Sequence, residues 1–313
     1  MFHAIHSTVY NKYCFIQKTE IFTKKAIYMK KLVVKYKLLI FFLMALTLSW
    51  VIWIPMALNQ LKVINFKIPI IIGQSIGGLA PLFSIIVLDK ISKGAINIKE
   101  IFDRIRLKGK KILWLPIAAL TLPLLTIIGN LINFLVGNEI YLFIFKNEPL
   151  KVLGFWLIGI IPLLFFAGLL SSPLFEEPCW RGFALGKLQG RFGRHIGSFL
   201  LGTFWWIWHQ PINIANGLEV SFYSYLLMVS YSFIIDSLYN LSNKNLLAAM
   251  FAHSSLIVTF TFIYSSNNPY ILLMFLFAII TLRTLEWKGD SKQILDAEEI
   301  VMISDQKNEK ILF

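Results

Sequence analysis

Leu169-Leu170-Ser171-Ser172-Pro173-Leu174-Phe175-Glu176-Glu177-Pro178-Cys179-Trp180-Arg181-Gly182 is an apolar stretch with three charges at its centre. It belongs to a longer run, 152–185, interrupted only by Glu176, Glu177 and Arg181. A membrane span needs about 20 apolar residues, and this run exceeds that. Ionisable groups at membrane depth cost about 2.5–3.5 kcal/mol each on insertion scales, so each is a candidate functional group. On a helix Glu177 and Arg181 lie four apart and share a face, the spacing of an ion pair. Glu176 points about 100° away and is left for chemistry. With the spanning part read as 160–182, Glu176 sits near one membrane boundary and Arg181 reaches the interface.

Working outward, seven further apolar runs flank this one: 38–58, 68–88, 112–136, 196–215, 222–240, 245–265 and 268–282. The fold class expected is an all-α membrane protein, a polytopic bundle of about eight transmembrane helices. Its parts are a basic segment 1–37, a transmembrane domain 38–285 with a site-bearing core 152–265, and a solvated tail 286–313. Residues 1–37 admit two readings: a segment lying on anionic lipid, or an upstream extension of a chain whose start is Met29. Across 313 residues, 57% are hydrophobic and 15% charged, with a mean hydropathy of +0.68. A soluble domain has about a quarter charged, so a disordered tail, a fibre and a disulfide scaffold are all excluded. Cys14 and Cys179 have no metal-ligand spacing and read as free thiols.

The net charge of +13 raises the question of nucleic acid. Its distribution answers it. Eight Lys precede residue 38 and eight Lys or Arg lie in 89–111, whereas Lys62, Lys67, Lys146 and Lys151 are the only basic residues of the alternate loops. This is the positive-inside pattern, and it predicts both termini cytoplasmic with no nucleic acid partner.

Three more ionisable groups lie in apolar runs. His209 follows Phe204-Trp205-Trp206-Ile207-Trp208, His253 precedes Ser254-Ser255, and Asp236 lies in Ile235-Asp236-Ser237. Asp236 reads as a solvated helix end. Two His with a double Glu are a ligand set for Zn²⁺, or a set that activates water directly. His209 looks deeper than Glu176, so a kink at Pro173 or Pro178, or a late start of the fifth helix, is expected to bring them level.

These motifs resemble the CPBP intramembrane proteases, which include CAAX prenyl endopeptidases and bacteriocin-processing or immunity proteins. The Glu-Glu-x-x-x-Arg-Gly motif is Glu176 to Gly182, Phe-x-x-x-His falls on Trp205 to His209 with Trp for Phe, and His-x-x-x-Asn/Asp begins at His253 with Ile257 in the polar position. The resemblance covers 157–260. It implies a membrane-embedded peptidase, multi-pass in a bacterial plasma membrane, that acts near the cytoplasmic face on a membrane-tethered or prenylated peptide among membrane lipid. It implies Glu176 as general base, His209 and His253 as water-orienting or oxyanion groups, and Glu177 with Arg181 as a brace. If a metal is bound, zinc is expected on Glu176, His209 and His253. Ile257 supports a second reading, a degenerate relative acting as an immunity or scaffold protein, with Ser254 or Ser255 as candidate replacements for the missing polar group.

Overall fold

Helix α1 runs from Phe2 to Gln60 and bends at Tyr36, where φ −108° and ψ 18° leave helical space. The structure is a computed structural model and describes residues 2–107, 112–138, 156–263 and 267–289. After α1 come α2 (Ile70–Gly78), α3 (Ala80–Ile91), the short α4 (Ile98–Phe102) and α5 (Trp114–Leu135). Then follow α6 (Trp156–Leu169), α7 (Ser172–Glu177), a π-helical segment (Pro178–Leu185) and α8 (Gly186–Phe192). The chain ends its described part with α9 (Arg194–Ala215), α10 (Phe222–Leu241), α11 (Leu246–Phe262) and α12 (Pro269–Gly289). Among the described residues there is no strand.

Helices occupy all eight stretches expected from the sequence, and five are long and apolar enough to cross a membrane: Lys31–Gln60, Ile70–Ile91, Trp114–Leu135, Gly159–Phe192 and Pro269–Gly289. The other three carry buried polar side chains: Ser198 on α9, Ser232 and Asp236 on α10, and His253 on α11. α11 is apolar but only 17 residues long; in α9 and α10 internal polar groups dilute the apolar character and weaken the span signal. α11 packs chiefly on α5, and α9 on α1 and α10, so the outer helices surround these three.

Two boundaries differ from the sequence reading. The fourth helix does not end near Gly182 but continues through Phe192, so Glu176 is the eighteenth of 34 residues in Gly159–Phe192. It therefore lies near the middle of that span, in the short helix α7. No late start of α9 is needed to level it with His209, since α9 begins at Arg194. α12 likewise extends into the stretch read as a solvated tail. Arg283 and Glu286 are buried there and paired at 3.0 Å. Arg283 also donates to Ser198 Oγ of α9 at 2.7 Å, and Arg194 meets Glu286 at 3.1 Å. The residues from 290 onward, and Cys14's side chain, fall outside the described set.

An indole-rich seam joins α1, α2 and α9. Trp53 donates to the Gly73 carbonyl at 2.9 Å, Trp208 to Ser49 Oγ at 2.8 Å, and Ser49 in turn to the Gly77 carbonyl at 2.7 Å. Buried indole N–H groups need such acceptors. Gly73 and Gly77 share one face of α2, and a Cβ on Gly77 would fall 2.2 Å from Trp53 Nε1. Small residues four apart let membrane helices approach this closely. Gly77→Leu is expected to displace Trp53 and cost about 1–3 kcal/mol through overpacking. Thermal unfolding in detergent checks this, and an unchanged Tm would refute the close approach.

Candidate active site

Prolines shape the site locally. α6 stops at Leu169, Ser171 is extended (φ −98°, ψ −126°), and Pro173 enters the first turn of α7. Pro178 then opens the π-helical segment. A proline ring collides with the carbonyl four residues back and offers no N–H, so the chain widens its turn there. Glu176 and Glu177 close α7, while Trp180 and Arg181 open the wider turn. All four are buried.

Glu177 and Arg181 form the expected pair, 3.0 Å from Nη1 to Oε1 with neither side chain exposed. Arg181 does not reach an interface. Its Nε donates to Asp236 Oδ1 at 2.9 Å and its Nη2 to Ser232 Oγ at 3.1 Å, both on α10. Asp236 is thus no solvated helix end; it is fully buried as the guanidinium's second carboxylate. His253 Nδ1 donates to the same Glu177 Oε1 at 2.7 Å. One carboxylate oxygen thereby ties the π segment to α11, and Arg181 ties it to α10.

Glu176 has a separate set of partners. Trp180 and Trp205 each donate an indole N–H to Oε2 at 3.1 Å, and Ser172 Oγ donates to Oε1. Trp205 is central to the assembly. The Arg181 guanidinium stacks over its ring at 4.9 Å and His253 meets it edge-on at 5.2 Å. Its backbone carbonyl accepts from His209 Nδ1 at 2.8 Å. A carbonyl only accepts, so Nδ1 carries the proton, and a neutral His209 presents an unprotonated Nε2. The sequence reading saw Trp205 only as an aromatic wall. Trp180 was visible in principle, four residues after Glu176, but Ser172, Ser232 and Trp205 as donors were not.

Glu176 and His209 line one cavity of about 340 Å³. Its walls include Ile71, Gln74 and Leu79 of the α2–α3 region, Phe175, and Ile212 near the end of α9. His253 does not line it. The structure therefore brings Glu176 and His209 to the cavity and places Glu177, Arg181 and His253 behind them as a brace. Among the described residues, no three His, Cys, Asp or Glu side chains gather closely enough to hold a metal ion. His253 turns its Nδ1 to Glu177 and stands outside the cavity that Glu176 and His209 line. The set Glu176, His209 and His253 is not assembled as metal ligands.

Ile257 faces α6, its Cδ1 3.8 Å from where a Cβ on Gly168 would lie. Neither nearby hydroxyl replaces a polar group there: Ser254 donates to the Phe165 carbonyl and Ser255 to that of Ala252. Cys179 is a buried free thiol, as expected. On the connector after α3, Arg104 donates to the Gly182 carbonyl and to Tyr239 Oη, each at 3.2 Å, and so fastens the π segment from outside. The hydrogen bond and charge of Arg104 hold the Glu100 carboxyl below the usual carboxylate range.

Residues 157–259 match the family model described as type II CAAX prenyl endopeptidase Rce1-like. A relative from Methanococcus maripaludis, named CAAX prenyl protease 2, is 28% identical over 184 residues. The aligned part is 58% of this chain and 65% of the relative, just under two thirds of its length.

The buried charges make a sharp stability test. Arg181→Ala leaves Glu177 and Asp236 without their shared cation, and breaking a buried pair this way costs about 3–5 kcal/mol. A large fall in Tm in detergent is expected. A variant as stable as the wild type would show that the guanidinium does not hold the helices.

Proposed function

We propose, from the match of residues 157–259 to the Rce1-like type II CAAX prenyl endopeptidase model, that the chain is an intramembrane endopeptidase that hydrolyses a membrane-tethered or prenylated peptide with a water activated by Glu176. One observation carries this reading: adjacent glutamates have divided roles, Glu177 bound to Arg181 and His253, Glu176 presented with His209 to a 340 Å³ cavity. A carboxylate used only for packing would have no reason to face that space.

The chemistry uses groups already in place. A water between Glu176 and His209 donates one hydrogen bond to the carboxylate and one to Nε2 of His209. Glu176 takes a proton as the water oxygen bonds to the scissile carbonyl carbon, whose π pair moves to oxygen. When the tetrahedral intermediate collapses, the C–N pair leaves with nitrogen and Glu176 returns the proton to the departing amine. Trp180, Trp205 and Ser172 fix the carboxylate's direction throughout. Holding reacting groups this way supplies much of the rate. A bound zinc would supply a water with pKa near 7, but its expected ligands are not gathered here among the described residues.

In this reading the basic connectors are cytoplasmic in a bacterial plasma membrane, and Glu176 lies near the middle of the span Gly159–Phe192. The second reading, a degenerate immunity or scaffold protein, draws on Ile257, which puts an apolar group where the family carries Asn or Asp.

The test reconstitutes the full chain in liposomes with a peptide bearing a farnesylated cysteine. Glu176→Gln is expected to lower cleavage by about 10²–10⁴-fold with unchanged Tm, and His209→Ala to lower it as well. Cleavage unaffected by Glu176→Gln would sink the catalytic reading and favour the scaffold. A chelator arm decides the metal: resistance removes it, and loss restored by zinc establishes it.

A further inference from the structure

The α2 wall of the cavity has no role in the chemistry above, yet it carries polar groups where lipid-facing helices seldom do. Gln74 and Ser75 are exposed and lie among Ile71, Ile72 and Ile76, which are exposed by 76%, 51% and 50%. Both line the cavity that holds Glu176 and His209. The remaining polar side chains of that lining are engaged: Ser171 donates to the Gly168 carbonyl and Ser172 to Glu176. Among the described residues, the side chains of Gln74 and Ser75 make no hydrogen bond. A carboxamide left unpaired in an apolar setting is costly, and an unpaired polar group beside a reactive cavity asks for a ligand.

We infer that Gln74 is a substrate-binding residue that pairs with the backbone of an extended peptide lying between α2 and the Glu176 wall. This rests on the hydrolase reading and deepens it. A peptide segment that enters the cavity leaves water and must find partners for its N–H and C=O groups. The rest of the lining gives it few, since Trp53, Leu79, Phe175, Trp208 and Ile212 are apolar surfaces or have their indole N–H engaged elsewhere. A glutamine carboxamide carries a donor and an acceptor side by side, the same pair that a peptide bond presents. Main-chain pairing of this kind recognises an extended backbone whatever its side chains. Gln74 thus grips one edge of the peptide while Glu176 and His209 address its scissile carbonyl. Ser75, one residue on, is the neighbouring hydroxyl for the next polar group.

The experiment uses the full chain in liposomes with the farnesylated peptide and with a series in which single backbone N–H groups flanking the scissile bond are replaced by ester oxygens. Gln74→Leu is expected to keep its Tm and lose about tenfold in kcat/KM, about 1.4 kcal/mol, chiefly through KM. Gln74→Met, close in shape, serves if the leucine variant folds poorly. The decisive reading is the ester series: one ester is expected to reduce kcat/KM about tenfold in the wild type and to cause no further loss in the Gln74 variant. Wild-type activity in Gln74→Leu, or ester penalties equal in both proteins, would overturn the inference and leave Gln74 as a polar head reaching the membrane interface. Failure of the wild type itself to show Glu176-dependent cleavage is a separate result, and it overturns the hydrolase reading together with this one.

Discussion

The guanidinium of Arg181 is the point on which the interior turns. It reaches Glu177 through Nη1, Asp236 through Nε and Ser232 through Nη2, and its plane lies over Trp205. Through those contacts the π segment, α9 and α10 are fixed together, and Glu177 carries the connection to His253 of α11. A planar fork with five donors can serve several acceptors in one plane while stacking on an aromatic face, which a lysine cannot do. Removing such a group from water is expensive, and only this dense set of partners makes it tolerable. The arrangement therefore trades stability for position: it fixes where four elements stand relative to one another around Glu176.

Two neighbouring carboxylates acquire opposite duties from that geometry. Glu177 faces a cation and an imidazole; Glu176, rotated by one residue, faces two indoles, a hydroxyl and open space. The indole of Trp205 stands between the two environments, touching Glu176 with its N–H, Arg181 with its face and His253 with its edge. Where the motif it resembles carries phenylalanine, this chain has a ring that also donates. The substitution adds a direct link between the carboxylate in the cavity and the brace behind it.

Much of this was legible in the chain, for physical reasons. Apolar runs long enough to span a bilayer announce themselves, so a helix was expected in each of its eight places. The pair Glu177 and Arg181 was legible because i,i+4 spacing is local. Asp236 was misread because its partner lies 55 residues away and its own neighbourhood resembles a helix end. Ser232 and the indole of Trp205 were hidden for the same reason. The end of the fourth helix was misplaced because Lys187 and Arg191 look like loop residues, although the helix continues beneath them to Phe192. Glu286 was taken for part of a solvated tail because charge normally signals water; here it pairs with Arg283 and Arg194.

The wider turn of Pro178–Leu185 makes this segment unusually sensitive to chain length. A π turn holds one more residue than the α turn it replaces. Losing a single residue there would return the backbone to ordinary pitch; because the wider turn advances less than 100° per residue, the flanking helices would stay close to their present register while the residues inside the segment shift against one another. Glu177 and Arg181, and Trp180 and Glu176, would then stand three residues apart instead of four and lose their present alignment. Substitutions inside the segment act on one contact at a time, whereas a one-residue deletion would dismantle the brace and the carboxylate's support together. A protein built on the same arrangement should hold the length of this turn as closely as it holds the glutamates and the arginine.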